Sequence, residues 1–172
     1  MGKPPRSPYP PDLAEDAEPA LELVDLEDAV ATDLDWANQS EQRLGALRAE
    51  VRRCRLTGTE LAEAALVDVT FTDCRLDLVG LRFAKLERVV FRDCRMEECD
   101  FYGATLTDVV FENCTLRKAR FNGVKVKRVE LRGCELAELE GVEALRGARM
   151  PWNDVLQNAP LFASALGLEI VD

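Results

Sequence analysis

No histidine occurs in the 172 residues. That absence excludes imidazole base catalysis, His-ligated metal and the Ser–His or Cys–His nucleophile pairs. Serine is scarce: Ser7, Ser40 and Ser164 lie in no nucleophile motif, and no glycine-rich loop offers a phosphate cradle. No stretch approaches the roughly 18 consecutive apolar residues of a membrane span. Residues 1–16 lack the apolar core of a signal peptide, so the chain reads as cytoplasmic, its six cysteines as reduced thiols. Basic residues are in deficit, 22 Lys and Arg against 32 Asp and Glu, for a net charge of -10. Phosphate contacts need Lys and Arg, so nucleic acid is an improbable partner, although the same acidity suits a protein that imitates nucleic acid.

What is present is a period. Stepping by five from Val51 to Leu136, all 18 positions are large and apolar: Val51, Leu56, Leu61, Leu66, Phe71 and onward. With 47% hydrophobic residues, an unbroken run of that length arises by chance about once in a million. Two residues before each, the side chain is small; 17 of the 18 are Ala, Cys or Val, and Thr59 is the exception. Neither helical spacing nor simple strand alternation satisfies this pattern. A coil that turns a corner every five residues does, sending one small and one large side chain inward from each face. Four faces close a turn of 20, and that second period is visible. Cys54, Cys74, Cys94, Cys114 and Cys134 are 20 apart, as are Phe71, Phe91 and Phe111. Identical residues then stack on coils in register, about 4.8 Å apart.

Over about residues 49–140 the sequence resembles the pentapeptide-repeat family, whose unit is a central Leu or Phe with a small residue two before it. The resemblance implies an all-β solenoid, a right-handed quadrilateral parallel β-helix. The family's Asn or Asp just before the central residue is mostly replaced here, by Glu60, Arg75, Lys85, Val90, Arg95 and Val110, while Asp100 keeps it.

The ends read differently. Residues 1–18 are proline-rich and acidic, the composition of a disordered tail. The inward phase persists at Leu21, Leu26, Ala31 and Trp36, with Val24, Ala29 and Leu34 at the small position, and fails from Gln39 to Leu47. This predicts a degenerate coil over 19–38 and then a polar connector, with a helix as one option, in a 19–48 unit. At Gly141 the phase breaks, and LRGARM resumes one residue out of step. Within a 141–172 cap, Pro160 and Gly167 bracket a short helix over 160–166, with Trp152, Leu156, Phe162 and Leu166 expected to cover the last coil. Some relatives implied by the resemblance dimerise through such a segment, which allows a homodimer here.

Five stacked thiols do not converge as a tetrahedral metal site needs, so the cysteines read as small core residues, with no metal or cofactor implied. Asp73 and Asp93 stack with Asn113, and Glu97 adjoins Glu98, but a rod offers no cleft to split their pKa values. No catalytic residue is assigned and an enzyme is not expected. Two surface features remain. Phe83 and Tyr102 project outward on one face with Gly80, Gly103 and Gly123, a small aromatic patch. Arg117, Lys118, Arg120, Lys125, Lys127, Arg128 and Arg132 face Glu130 alone over 16 residues. Such a run is ordinarily a solvated surface. It also suits docking of the acidic residues 1–48, which carry a net -7, or of an anionic partner. The expected function is a rigid, non-enzymatic interaction scaffold with an unidentified protein partner. The alternative that the resemblance implies is a DNA-mimic modulator of DNA gyrase, disfavoured because residues 49–140 carry a net charge of only -1.

Overall fold

The computed structural model describes residues 19–24 and 26–171; the tail expected over 1–18 lies outside the described residues. Every fifth residue from Asp28 to Glu138 has positive φ, nineteen of them non-glycine and four glycine. These are the corners. Each places the backbone in the left-handed region, turns the chain through a corner and starts a new face. Between corners the small and large residues alternate inward, as in Val69 and Phe71 or Ala104 and Leu106, and both classes are buried almost completely.

The coils form a parallel β-solenoid of about five turns. Its strands are β1 (Leu26–Glu27), β2 (Val30–Thr32), β3 (Gly45–Arg52), β4 (Ala65–Thr72), β5 (Lys85–Arg92), β6 (Thr105–Thr107), β7 (Val110–Glu112), β8 (Lys125–Lys127) and β9 (Glu130–Arg132). All pair in parallel at a separation of 20, for example Phe71 with Phe91 and Phe91 with Phe111. That register stacks like on like. The rings of Phe71, Phe91 and Phe111 lie face to face at 5.0 and 5.2 Å. The thiols of Cys74, Cys94, Cys114 and Cys134 each approach the carbonyl 23 residues earlier. Thr59 conforms to that same rule: its hydroxyl donates to the Trp36 carbonyl at 2.7 Å, so the one polar residue at a small position is satisfied where a thiol would be.

The expected connector is instead continuous coil. Ser40 bridges Glu60, and Leu44 and Ala46 are both buried. Leu44 holds the small position and Ala46 the large one, a swap that keeps the summed volume and hides the phase from the sequence. Gln39 and Glu41 point inward only at the open end of the tower, where no coil lies beneath, and remain half-exposed. Upstream the expected phase holds at Leu26, Ala29, Ala31 and Trp36, all buried, and fails only before them. Leu21 and Val24 are exposed, whereas Ala20 and Leu23 are buried. Pro19 bridges Val30, only eleven residues on, so this segment crosses the tower end as a lid, with Trp36 Nε1 donating to the Leu21 carbonyl.

At the other end Glu130 pairs with Arg149, one residue short of the 20-residue step, which is the slip visible in the sequence. A 3₁₀ turn (Val142–Leu145), α1 (Trp152–Gln157) and α2 (Ala159–Ala165) follow. Pro160 lies in the first turn of α2, and Gly167 beyond it has φ 70. The cover differs from expectation. Leu145, Met150, Leu161 and Phe162 are the residues turned toward the core, while Trp152, Leu156 and Leu166 face outward. Helices this short can turn one narrow face inward, and an open groove of about 610 Å³ remains between them and the last coil.

Candidate interaction surface

The surface follows from the corner rule. Each outward position belongs to a column of residues 20 apart, so its neighbours are found one coil away and not next in sequence. The column through Asp28, Arg48, Asp68, Arg88, Asp108 and Arg128 alternates in charge along the tower, and each arginine forks onto the aspartate of the preceding coil. Arg53 does the same to Asp33 at 2.7 and 2.8 Å, and Arg55 reaches Asp35 at 3.1 Å. The guanidinium of Arg128 holds the buried Asp108 carboxyl below the usual carboxylate range, and Arg48 and Arg53 do so for Asp28 and Asp33.

This pairing corrects the reading of the basic run. Arg117 meets Glu135 and Glu138, Arg120 meets Asp100 and Glu140, Arg128 meets Asp108, and Arg132 meets Glu130. Except for Glu130, their carboxylates sit on adjacent coils, outside a 16-residue window. Among the described residues only Lys118 and Lys125 of that run lack a carboxylate partner, since Lys127 acts on Asp108 through its charge. Likewise Asp28, Asp33 and Asp35 spend their charge on the next coil, not on the far end of the tower.

Phe83 and Tyr102 are brought together. Their rings stand edge to face, 5.6 Å apart and at 89°, one coil apart, and are 55% and 45% exposed. Phe83 lies over Gly103, where a Cβ would stand 2.7 Å from its ring, so a side chain there would displace the aromatic. The Arg82 guanidinium covers the Tyr102 ring at 5.5 Å, and its Nε donates to Asp100 at 2.9 Å. Leu78, unnoticed in the sequence because it sits at a corner and not at an inward position, is exposed on the same coil as Phe83.

The cysteines are all buried free thiols. Burial pushes the Cys54 and Cys99 thiols up, and the Cys99 thiol donates to the Leu76 carbonyl at 2.8 Å. Asp93 accepts from Asn113 at 3.1 Å, as the stacking of that column predicts.

A model described as "Pentapeptide repeat region" matches residues 47–121 and 84–140, together more than half of the chain. Among curated proteins no sequence matches significantly. Similar solved structures include a pentapeptide-repeat protein from the Arabidopsis thaliana thylakoid lumen, with TM-score 0.53 and 21% identity over 56% of this chain and 67% of that one. One from the cyanobacterium Cyanothece 51142 gives TM-score 0.36 and 16% identity, over 64% and 90%. QnrB1, a plasmid-mediated fluoroquinolone resistance protein, gives TM-score 0.38 and 12% identity, over 81% and 100%. At such identities the likeness concerns the fold. The five-residue corners, the inward small–large pairs and the matched model agree, and the chain belongs to the pentapeptide-repeat family.

Proposed function

We propose that this chain is a non-enzymatic interaction scaffold that works as a homodimer. The observation that carries the reading is the apolar surface left outside the core at the C-terminal cap. Trp152 is 71% exposed, and Leu156, Leu166, Leu168 and Ile170 are all more than half exposed within one short segment. Single exposed apolar residues are ordinary, but this many within one short terminal segment call for a partner. A second copy supplies the same surface and closes the contact by two-fold symmetry. The tower then serves as a stiff spacer that presents its flat faces, the Phe83–Tyr102 pair among them, to a protein partner in the cytoplasm.

Duplex mimicry with gyrase as target is the weaker reading. It needs acids along the rod, and here the carboxylates of the corner column from Asp28 to Arg128 alternate with arginines that neutralise them. Sedimentation across a concentration series tests the scaffold reading. Wild type is expected as a dimer and Trp152→Glu/Leu156→Glu as a folded monomer; a wild type monomeric throughout overturns the dimer. A gyrase supercoiling assay run alongside is expected to show no effect.

A further inference from the structure

Of the nineteen non-glycine corners with positive φ, seventeen carry Asp, Asn, Glu, Arg or Lys; the two exceptions are Leu78 and Phe83. Bulky apolar side chains are poorly suited to the left-handed region, where Asn and Asp are tolerated and a hydrocarbon gains nothing in return. Burial does not explain the pair, since Leu78 is 54% exposed and Phe83 is similarly open. Both sit on one coil, at consecutive corners, so they bound the two ends of a single face. Between them the outward positions are Gly80, which has no side chain, and Arg82. Tyr102 on the next coil extends the Phe83 end. Strain retained where packing does not demand it marks function.

The charge around this apolar pair selects its occupant. Arg82 is already engaged by Asp100 and by the Tyr102 ring. The carboxylate of Glu60, on the preceding coil, lies over Gly80 in the centre of the face, and Glu98 on the following coil adjoins Leu78 in its column. Among the described residues neither Glu60 nor Glu98 has a basic partner. Lys118 lies one coil beyond Glu98 in the same column, so the unneutralised charge between the two anchors is that of Glu60, and it is negative. We infer that the face bounded by Leu78 and Phe83 binds a cationic amphipathic segment of a partner protein, its apolar side chains on the two anchors and a Lys or Arg on Glu60. The inference rests on the scaffold reading and names the chemistry of its partner.

Panning a random displayed-peptide library on the full chain, with counter-selection against Leu78→Asn/Phe83→Asn, tests it. Asparagine accepts the left-handed corner, so the double variant folds, and its Tm rises by about 2–4 °C as strain is released. Enriched peptides are expected to place Lys or Arg among apolar residues. They should lose at least about tenfold affinity on the double variant, the scale of one hot-spot side chain. Glu60→Gln/Glu98→Gln is expected to weaken them severalfold and to flatten their salt dependence. Enrichment of acidic or proline-rich peptides overturns the assigned chemistry. Peptides that bind the double variant equally overturn the site while leaving the scaffold reading intact. Self-association abolished by the double variant, with no peptide enriched, overturns it in favour of a second copy.

Discussion

Arg88 places its Nε and one terminal nitrogen on the two carboxylate oxygens of Asp68, at 2.6 and 2.9 Å, across the gap between one coil and the next. Both side chains are less than one-third exposed, so the pair sits below the screening that makes surface ion pairs nearly worthless. Arg88→Ala leaves that carboxylate half-buried without its fork, and is expected to cost about 1–3 kcal/mol in chemical denaturation. Arg88→Lys recovers only part of this, because an ammonium cannot bond both oxygens in one plane. The column adds a sharper test. Exchanging the two residues, Asp68→Arg with Arg88→Asp, sets Arg48 against an arginine and Asp108 against an aspartate. The exchange is therefore expected to be no better than Arg88→Ala; recovery of wild-type stability would reduce the column to independent pairs.

Three other paired carboxylates set the acid limb of stability. Asp28, Asp33 and Asp108 are held below their ordinary range by hydrogen bonds from Arg48, Arg53 and Arg128. A depressed folded-state pKa means that the native state favours the ionised form. The contribution is then fully present above the unfolded value of about 3.9 and is lost as pH falls through the lower folded value. With no histidine to titrate, Tm is expected to be flat between pH 5 and 8 and to fall below about pH 4. Arg128→Gln should shallow that fall. A decline already evident at pH 6 would contradict the assignment.

The small positions make a prediction about reactivity. All six thiols are buried, and burial pushes those of Cys54 and Cys99 toward the unreactive protonated form. A thiol reagent is expected to find no reactive cysteine in the native protein and six after denaturant is added, at a rate that follows unfolding. One thiol that reacts at once would place a rung of the ladder at the surface.

Much of this was legible in the chain because inward residues obey one period and the core tolerates little deviation from it. The central coils and the one-residue slip before Arg149 follow from that rule, while the helix behind Pro160 follows from its Pro and Gly bracket. The surface obeys a different rule. Arg117 and Glu135 look unrelated until the 20-residue step places them on adjoining coils, and the Asp28–Arg128 column repeats only every 40 residues. Hence the basic run looked unneutralised. At the ends the period weakens for a physical reason: an inward position with no coil beyond it need not be apolar, as Glu41 shows, and a cap can turn Phe162 inward while leaving Trp152 outside.

The junction between tower and cap rests on Gly141. Its φ is 75, and a Cβ built on it would stand 2.5 Å from the Asn122 backbone nitrogen and 2.6 Å from the Phe121 carbonyl carbon. Those neighbours are backbone of the preceding coil and cannot swing aside as a side-chain tip can. Two costs therefore coincide in Gly141→Ala, the left-handed conformation and the displaced coil, for about 2–4 kcal/mol together. Gly147 separates them. Its φ is 86, but nothing stands within 4 Å of the added atom, so Gly147→Ala incurs the conformational cost alone, about 1–2 kcal/mol. Asparagine relieves that cost and not the collision, so Gly147→Asn should approach wild type while Gly141→Asn remains impaired. Limited proteolysis gives the readout that bulk stability does not. Loss of the Gly141 junction frees the segment from the 3₁₀ turn through α2 while the coils stay paired, so cleavage should concentrate after residue 141 with the 26–140 tower intact. Equal behaviour of the two glycine sites would show that left-handed geometry, and not the close approach to Asn122, holds the cap in place.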